Sequence, residues 1–405
     1  MNSNGRTLPL DQIAEFEGGS QPPKSEFIYE PRQGYVRFLQ IRDFKSDKNE
    51  TYIKVSNKNR TCCDDDILIG RYGASVGQIL TGKAGAYNVA LMKAMPDTSI
   101  IARRYFYHYL NSVDFQIRLM GVADRSAQNG FSKEDIANFP VLVPPIPEQK
   151  RIVAILDEAF AGIAAATANA EKNLTNAREL FDGCLDEAFS ETKTGRKLAT
   201  LTELTTDITD GDHMPPPKSL TGVPFITISN IHKGTNAIDF SDTFKVPRAY
   251  FDNLKPNKRP QLGDVLYTVT GSFGIPVIVQ DSTEFCFQRH IGLVRPKKGV
   301  NSKWLYYALL SPPAFKQAAD GATGTAQKTV SLKVLRSLQL PDIPLVEQVA
   351  MASRLDALYA RTKSLESVYT EKLASILELK RALLQKAFSG ELAALPGAEM
   401  QEAAA

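Results

Sequence analysis

Cysteine and histidine are scarce in this chain, and each scarcity removes a class of function. The four cysteines are Cys62, Cys63, Cys184 and Cys286. Only the first two are close, and adjacent residues seldom bridge, so neither a disulfide framework nor a zinc-binding CxxC pair is available. The four histidines, His108, His213, His232 and His290, are too few for a histidine-based centre built twice. No run of 18 or more apolar residues marks a membrane span, and the polar stretch Met1 to Leu10 lacks a signal-peptide core. The chain therefore reads as cytoplasmic, without a membrane partner. Charge of one sign is missing too: 48 Lys and Arg oppose 45 Asp and Glu, a net of +3. An anionic partner must then be held by local patches. Catalytic signatures are also absent: there is no GxxxxGKS/T phosphate loop, no GxGxxG between strand and helix, no HExxH, no GxSxG and no NPPY- or DPPY-like tetrad. The expectation is a binding protein without catalytic residues, cofactor or metal.

What the chain does have is a duplication. Pro145, Glu148, Gln149, Leu156 and Asp157 recur as Pro344, Glu347, Gln348, Leu355 and Asp356, always 199 residues on. Ala188-Phe189-Ser190 returns at the same offset as Ala387-Phe388-Ser389, and Ala127-Gln128 as Ala326-Gln327. Farther upstream the register drifts: Asp66-Ile67-Leu68 then Gly73 faces Asp264-Val265-Leu266 then Gly271. One period covers half of the 405 residues, which makes this a tandem repeat and not a solenoid.

Each repeat splits in two. Between Glu148 and Ser190 there is no proline, and Ile152, Leu156, Ala159, Ile163, Ala166 and Ala170 follow steps of four and three. That is the seam of a helix packed on another helix. An extra step of four, a stutter, carries the seam to Leu174, then Ala177, Phe181 and Leu185. The second copy places Met351, Leu355, Leu358, Thr362, Leu365, Tyr369, Leu373 and Ile376 in matching positions. The rest of each repeat has short β-branched and aromatic runs (Tyr35 to Ile41, Ile67 to Ile69, Phe225 to Ile228, Val277 to Gln280) separated by Gly, Pro and Asn. Tyr105 to Leu110 and Trp304 to Leu310 read as short helices. The fold class is therefore α+β: a globular domain (1–147) and a long helix (148–190), repeated as 197–346 and 347–392, with 396–405 reading as a disordered tail.

Metal sites are weighed and set aside. Asp64-Asp65-Asp66 precedes a strand, where acids punctuate turns. Asp207, Asp210, Asp212 and His213 offer oxygen and nitrogen ligands, but their counterpart Glu17-Gly18-Gly19-Ser20 does not, so a loop held by Asx-type turns is expected. The polar loops are rich in groups that pair with base edges and phosphates. The candidates for DNA contact are Arg42, Arg71, Arg125, Gln128 and Asn129 in the first domain. In the second they are Asp212, His213, Asn230, His232, Thr270, Ser272, Gln327 and Lys328. One scaffold carrying two loop chemistries points to two targets.

The segment Pro144-Pro145-Ile146-Pro147-Glu148-Gln149-Lys150-Arg151-Ile152-Val153-Ala154-Ile155-Leu156-Asp157 resembles the start of the first spacer helix in specificity subunits of type I restriction-modification enzymes. Asp210-Gly211-Asp212-His213-Met214-Pro215-Pro216 resembles the opening of their target-recognition domain, and Lys386-Ala387-Phe388-Ser389-Gly390-Glu391-Leu392 the close of their last helix. Val349-Ala350 stands where the first repeat has Lys150-Arg151. The resemblance implies a non-catalytic subunit whose two recognition domains each read half of a bipartite double-stranded DNA target. Two antiparallel spacer helices would set the gap and dock two adenine methyltransferase subunits, optionally joined by two motor-nuclease subunits. A scaffold or adaptor without DNA, and an enzyme with a site around Asp207 to His213, are the rival readings.

Overall fold

A computed structural model of the chain describes residues 5–125, 129–190, 195–325 and 327–394, with side chains to Leu392. The expected tail and Gln128 lie outside the described residues. Two compact units result: 1–170 with 371–405, and 171–370.

In the first unit, short strands rich in Ile and Leu form an antiparallel sheet in the order Ala14–Gly18, Leu91–Pro96, Ile67–Gly70, Ile79–Leu80. A second sheet pairs Tyr35–Leu39 with Tyr52–Lys54 on one side and, in parallel, with Gly85–Tyr87 on the other. Arg6–Pro9 pairs with Pro140–Val143, joining the two ends of the domain. The second unit repeats this plan. Thr205–Asp210, Ile291–Pro296, Val265–Thr268 and Pro276–Ile278 make the four-stranded sheet. Phe244–Val246, Val223–Ile226 and Cys286–Phe287 make the second, and Leu198–Thr200 pairs with Gln339–Pro341. Ile67, Leu68 and Ile69 are buried on both faces, as are Val265, Leu266 and Tyr267, so these runs read as apolar without alternation.

The long helices span Ile146–Phe189 and Leu345–Ser389. Each begins two residues before its expected start, and Gly390 ends the second in a left-handed conformation (φ 87°), the usual glycine stop. All ten expected seam positions of the first helix are buried or half-buried. In the second, Leu365 is exposed instead. Glu366 turns inward in its place and accepts from Arg178 (3.2 Å) and Lys363 (3.0 Å), so the extra step of four comes one heptad early. Within each unit the helices run antiparallel. In the first unit Arg151 donates to the Leu392 carbonyl (2.6 Å) and Lys380 lies over the Phe160 ring (5.4 Å). In the second, Phe181 packs on Tyr359 (5.3 Å) near the Arg178–Glu366 pair.

The repeated sequence landmarks are the joints between helix and domain. Gln149 is fully buried; its amide donates to the Ile100 and Pro144 carbonyls (3.0 and 2.8 Å) and its oxygen accepts from Ala102 N (2.7 Å). Gln348 repeats this with Ile343 (2.9 Å) and Asn301 (2.8 Å). Asp157 accepts from Arg104 and His108, and Asp356 from Lys303 and Tyr307. Phe388 sits against Tyr105 and Tyr109 (5.0 and 5.7 Å), as Phe189 sits against Trp304 (6.2 Å). Each such ring, once buried, contributes about 1.5–3 kcal/mol. The core of each unit thus takes in the start of one long helix and the end of the other: Ile152, Leu156, Leu384 and Ala387 in the first, Phe181, Leu185, Ala352 and Leu355 in the second. The first helix alone has the length and mean hydropathy to cross a membrane, among the described residues. Its Asp157 is nevertheless ion-paired, and its Ile152 and Leu156 are core residues of the domain.

Candidate nucleic-acid interface

Four loops are laced together by backbone hydrogen bonds in each unit. In the first, Gly19 N donates to Leu91 O and Ser20 N to Tyr87 O (both 3.0 Å), Arg71 N donates to Ala90 O (2.9 Å), and Gly73 N donates to Asn129 O (2.9 Å). In the second, Asp212 N donates to Phe287 O (3.3 Å), Arg289 N to Asp212 O (3.2 Å), Val269 N to His290 O (2.9 Å), and Gly271 N to Lys328 O (3.0 Å). The bridge Tyr72–Gly130 has its counterpart in Thr270–Thr329. Glycine is required where two of these loops meet. A Cβ on Gly19 would stand 2.0 Å from Asn88 O, and one on Gly211 1.9 Å from Phe287 O. The result in each unit is one continuous rim of loops beside the four-stranded sheet.

The rim gathers part of the expected set. In the first unit it brings Arg71 to Asn129, which holds a left-handed backbone (φ 44°). Arg71 donates from Nε to Phe131 O (3.1 Å) and lies over the Tyr72 ring (5.0 Å); its remaining guanidinium N–H groups keep their donor capacity. Arg125, exposed, bonds back to Gly121 O (2.7 Å). In the second unit the rim joins Asp212 and His213 to Thr270, Ser272, Gln327 and Lys328. His213 pairs with Asp210 (2.9 Å), and Asp212 accepts from the Tyr250 hydroxyl beside Lys258 (3.6 Å). Burial, with the Asp212 carboxylate adding to it, pushes the Tyr250 phenol well up. Ser272, Gln327 and Lys328 are exposed, whereas Thr270 is buried against Thr329.

The other expected residues lie on separate loops. Arg42 is exposed and donates to Thr51 Oγ1 (3.2 Å), and His232 is exposed at the base of the hairpin Ile231–Ile238. Asn230 is a correction. It is buried, its oxygen accepts from Thr227 N and Oγ1 (2.9 and 2.8 Å), and its amide donates to Asp242 O (2.9 Å). Asp43 is its counterpart, closing the same turn on Gln40 N (2.6 Å). Both side chains shape a turn, and Asn230 is consumed by it. Burial pushes the Asp43 carboxyl up despite that bond and the nearby Arg37, Arg42 and Lys83 charges.

Sequence reasoning missed the fourth rim loop, Gln288-Arg289-His290, and its partner Asn88 to Ala90. The signal was available: Tyr87-Asn88 and Phe287-Gln288 are an aromatic–amide pair ending equivalent strands, 200 residues apart.

The model of the type I restriction modification DNA specificity domain matches residues 3–175 and again 205–374. The chain belongs to that family. Among curated specificity subunits, it is 23% identical to that of the type I restriction enzyme EcoBI from Escherichia coli, over 96% of this chain and 86% of the relative. It is also 23% identical to the MjaVIII specificity subunit from Methanocaldococcus jannaschii, over 95% and 92%. The fold is that of a solved structure concerned with complex assembly and conformational transition of the type I R-M system (TM-score 0.77, 18% identity, 95% of this chain and 97% of the other). The HsdS subunit from Thermoanaerobacter tengcongensis shares it as well (TM-score 0.59, 18% identity, 96% and 98%). The two specificity-domain matches coincide with the two repeats, each carrying one rim.

Proposed function

We propose that each rim reads one half of a bipartite double-stranded DNA target, and that the long helices set the gap and dock two adenine methyltransferase subunits. The chain is then the recognition subunit of a complex, acting in the cytoplasm without chemistry of its own, and two motor-nuclease subunits complete the assembly where restriction accompanies modification. The observation that carries this reading is the recurrence of one backbone lacing with unlike side chains: Arg71 and Asn129 on one rim, Ser272, Gln327 and Lys328 on the other. Loops of that composition suit phosphate and base-edge contact, and two unlike readers suit an asymmetric target. The proposed recognition domains are 1–147 and 197–346. Forty-four residues at a rise of about 1.5 Å make the first helix about 65 Å long, more than the roughly 34–36 Å of one DNA turn. The target adenine, unreachable inside the stack, would be flipped into the methyltransferase.

Removing four residues, about one helical turn, from the first long helix tests the ruler. The expected result is an altered number of unread base pairs between unchanged half-sites. Changed half-sites would overturn it.

A further inference from the structure

The two rims carry unlike side chains at several matching laced positions. Arg71 N and Val269 N make the same bond, to Ala90 O and His290 O (both 2.9 Å), and Gly73 N and Gly271 N donate to the carbonyls of Asn129 and Lys328. Ser20 N and Asp212 N likewise donate to Tyr87 O and Phe287 O. Arg71 thus matches Val269, Asn129 matches Lys328, and Ser20 matches Asp212. At one further position of the described residues the side chains are alike. Asn88 and Gln288 each stand one residue past the end of a parallel-paired strand, Gly85–Tyr87 and Cys286–Phe287. Asn88 N donates to Leu39 O (3.1 Å) and Gln288 N to Ile226 O (3.0 Å), while their carbonyls accept from Leu91 N and Ile291 N (3.0 and 3.1 Å). Both backbones are therefore fixed at the same place in their rims. Both residues are half-buried, and neither side-chain amide has a hydrogen-bond partner among the described residues. Asn88 Oδ1 is an acceptor buried without a donor; the soft terminal torsion of asparagine lets it turn toward one from outside the chain.

We propose that Asn88 and Gln288 hydrogen-bond the thymine left unpaired when the target adenine leaves the stack, each in its own half-site. This rests on the DNA-reading function proposed above. Unlike side chains suit the bases that differ between the two halves; a like side chain in a like place suits what the halves share. Two docked adenine methyltransferases need one adenine each, so every half-site contains an A·T pair. Flipping that adenine strips the thymine of the partners for its N3–H and O4. A carboxamide sets one acceptor beside one N–H donor, the complement of that edge, whereas a carboxylate lacks the donor and an ammonium the acceptor. Leaving a buried donor and acceptor unpaired is costly, so the contact favours the flipped state over the stacked one.

The test uses the chain assembled with its methyltransferase subunits and a duplex carrying the motif that the complex methylates. In one half-site at a time, the thymine opposite the target adenine is replaced by its non-polar isostere difluorotoluene, which keeps the shape and removes both hydrogen-bonding groups. The quantity read is the ratio of affinities for the thymine and isostere duplexes. Looser base pairing in the isostere duplex is common to every variant and cancels when variants are compared with the unaltered complex. Asn88→Ala is expected to lower that ratio about tenfold at one half-site, and Gln288→Ala to lower it at the other. Asn88→Asp and Gln288→Glu, which lack the donor, should do the same. The ratio at the half-site read by the other rim should keep its unaltered value, which shows that each variant is folded. A ratio that either Ala variant leaves unchanged at both half-sites overturns the pairing. If a variant instead relaxes the methylated motif at another position with its ratios intact, the amide reads a stacked base: the pairing falls and DNA reading stands. A complex that binds no duplex overturns both.

Discussion

His108 donates from Nε2 to the Asp157 carboxylate at 2.8 Å, and its buried Nδ1 has no hydrogen-bond partner among the described residues. A proton on Nδ1 would be a buried donor facing nothing. Burial accordingly lowers the imidazole below its ordinary value, outweighing the nearby Asp157, with Arg104 and Lys380 opposing the charge as well. A folded-state value below the unfolded one means that stability is complete above about pH 6.5 and is lost as pH falls. Asp157 is also lowered: burial raises it, but the bonds from Arg104 and His108 prevail. Its contribution is therefore lost only in a second window, below about pH 4. In the second repeat Tyr307 donates to Asp356 at 2.8 Å, and burial keeps that phenol from titrating anywhere near neutrality. The expected outcome is a melting midpoint that falls between pH 7.5 and about pH 5.5. In His108→Tyr that fall should be reduced, as followed by calorimetry of the full chain.

Gln149→Ala should destabilise the protein by about 2–4 kcal/mol, because the change strands Ala102 N–H and two buried carbonyls. Gln149→Glu should recover little, since a carboxylate cannot donate to Ile100 O or Pro144 O. Urea unfolding checks both.

Gly211→Ala drives a methyl group onto the Phe287 carbonyl. The second rim must open, whereas the first, built on Gly19, is untouched. Adenine methylation that depends on the second half-site should be lost while the first half-site keeps its contacts in footprinting. Equal loss at both halves would argue against separate rims.

Arg71→Ala should weaken binding of the cognate duplex by about 1–3 kcal/mol at fixed salt if the guanidinium reads a guanine. Relaxed preference at one position of one half-site is the accompanying signature. Unchanged affinity and preference would remove Arg71 from the interface.

Much of this architecture was legible before any coordinates. The 199-residue offset located both helix–domain joints, because Gln149, Asp157 and Phe388 and their copies each do one local job that tolerates no drift. The apolar steps placed the helix seam, apart from Leu365, where Glu366 finds two cations and turns inward. The rim was legible only in part. Arg71 and Asn129 stand out by type, but Arg289 joins the site through a backbone bond to a residue 77 positions away, which no local pattern encodes. Asn230 misled for the opposite reason: the amide that can read adenine can equally close a turn.

Sequencing of adenine methylation in cells that carry this chain with its methyltransferase, and in cells that lack only this chain, is the most direct measurement. The account predicts one interrupted motif with two unlike halves and a constant gap, present solely when the chain is there. An uninterrupted motif, or methylation indifferent to the chain, would contradict it.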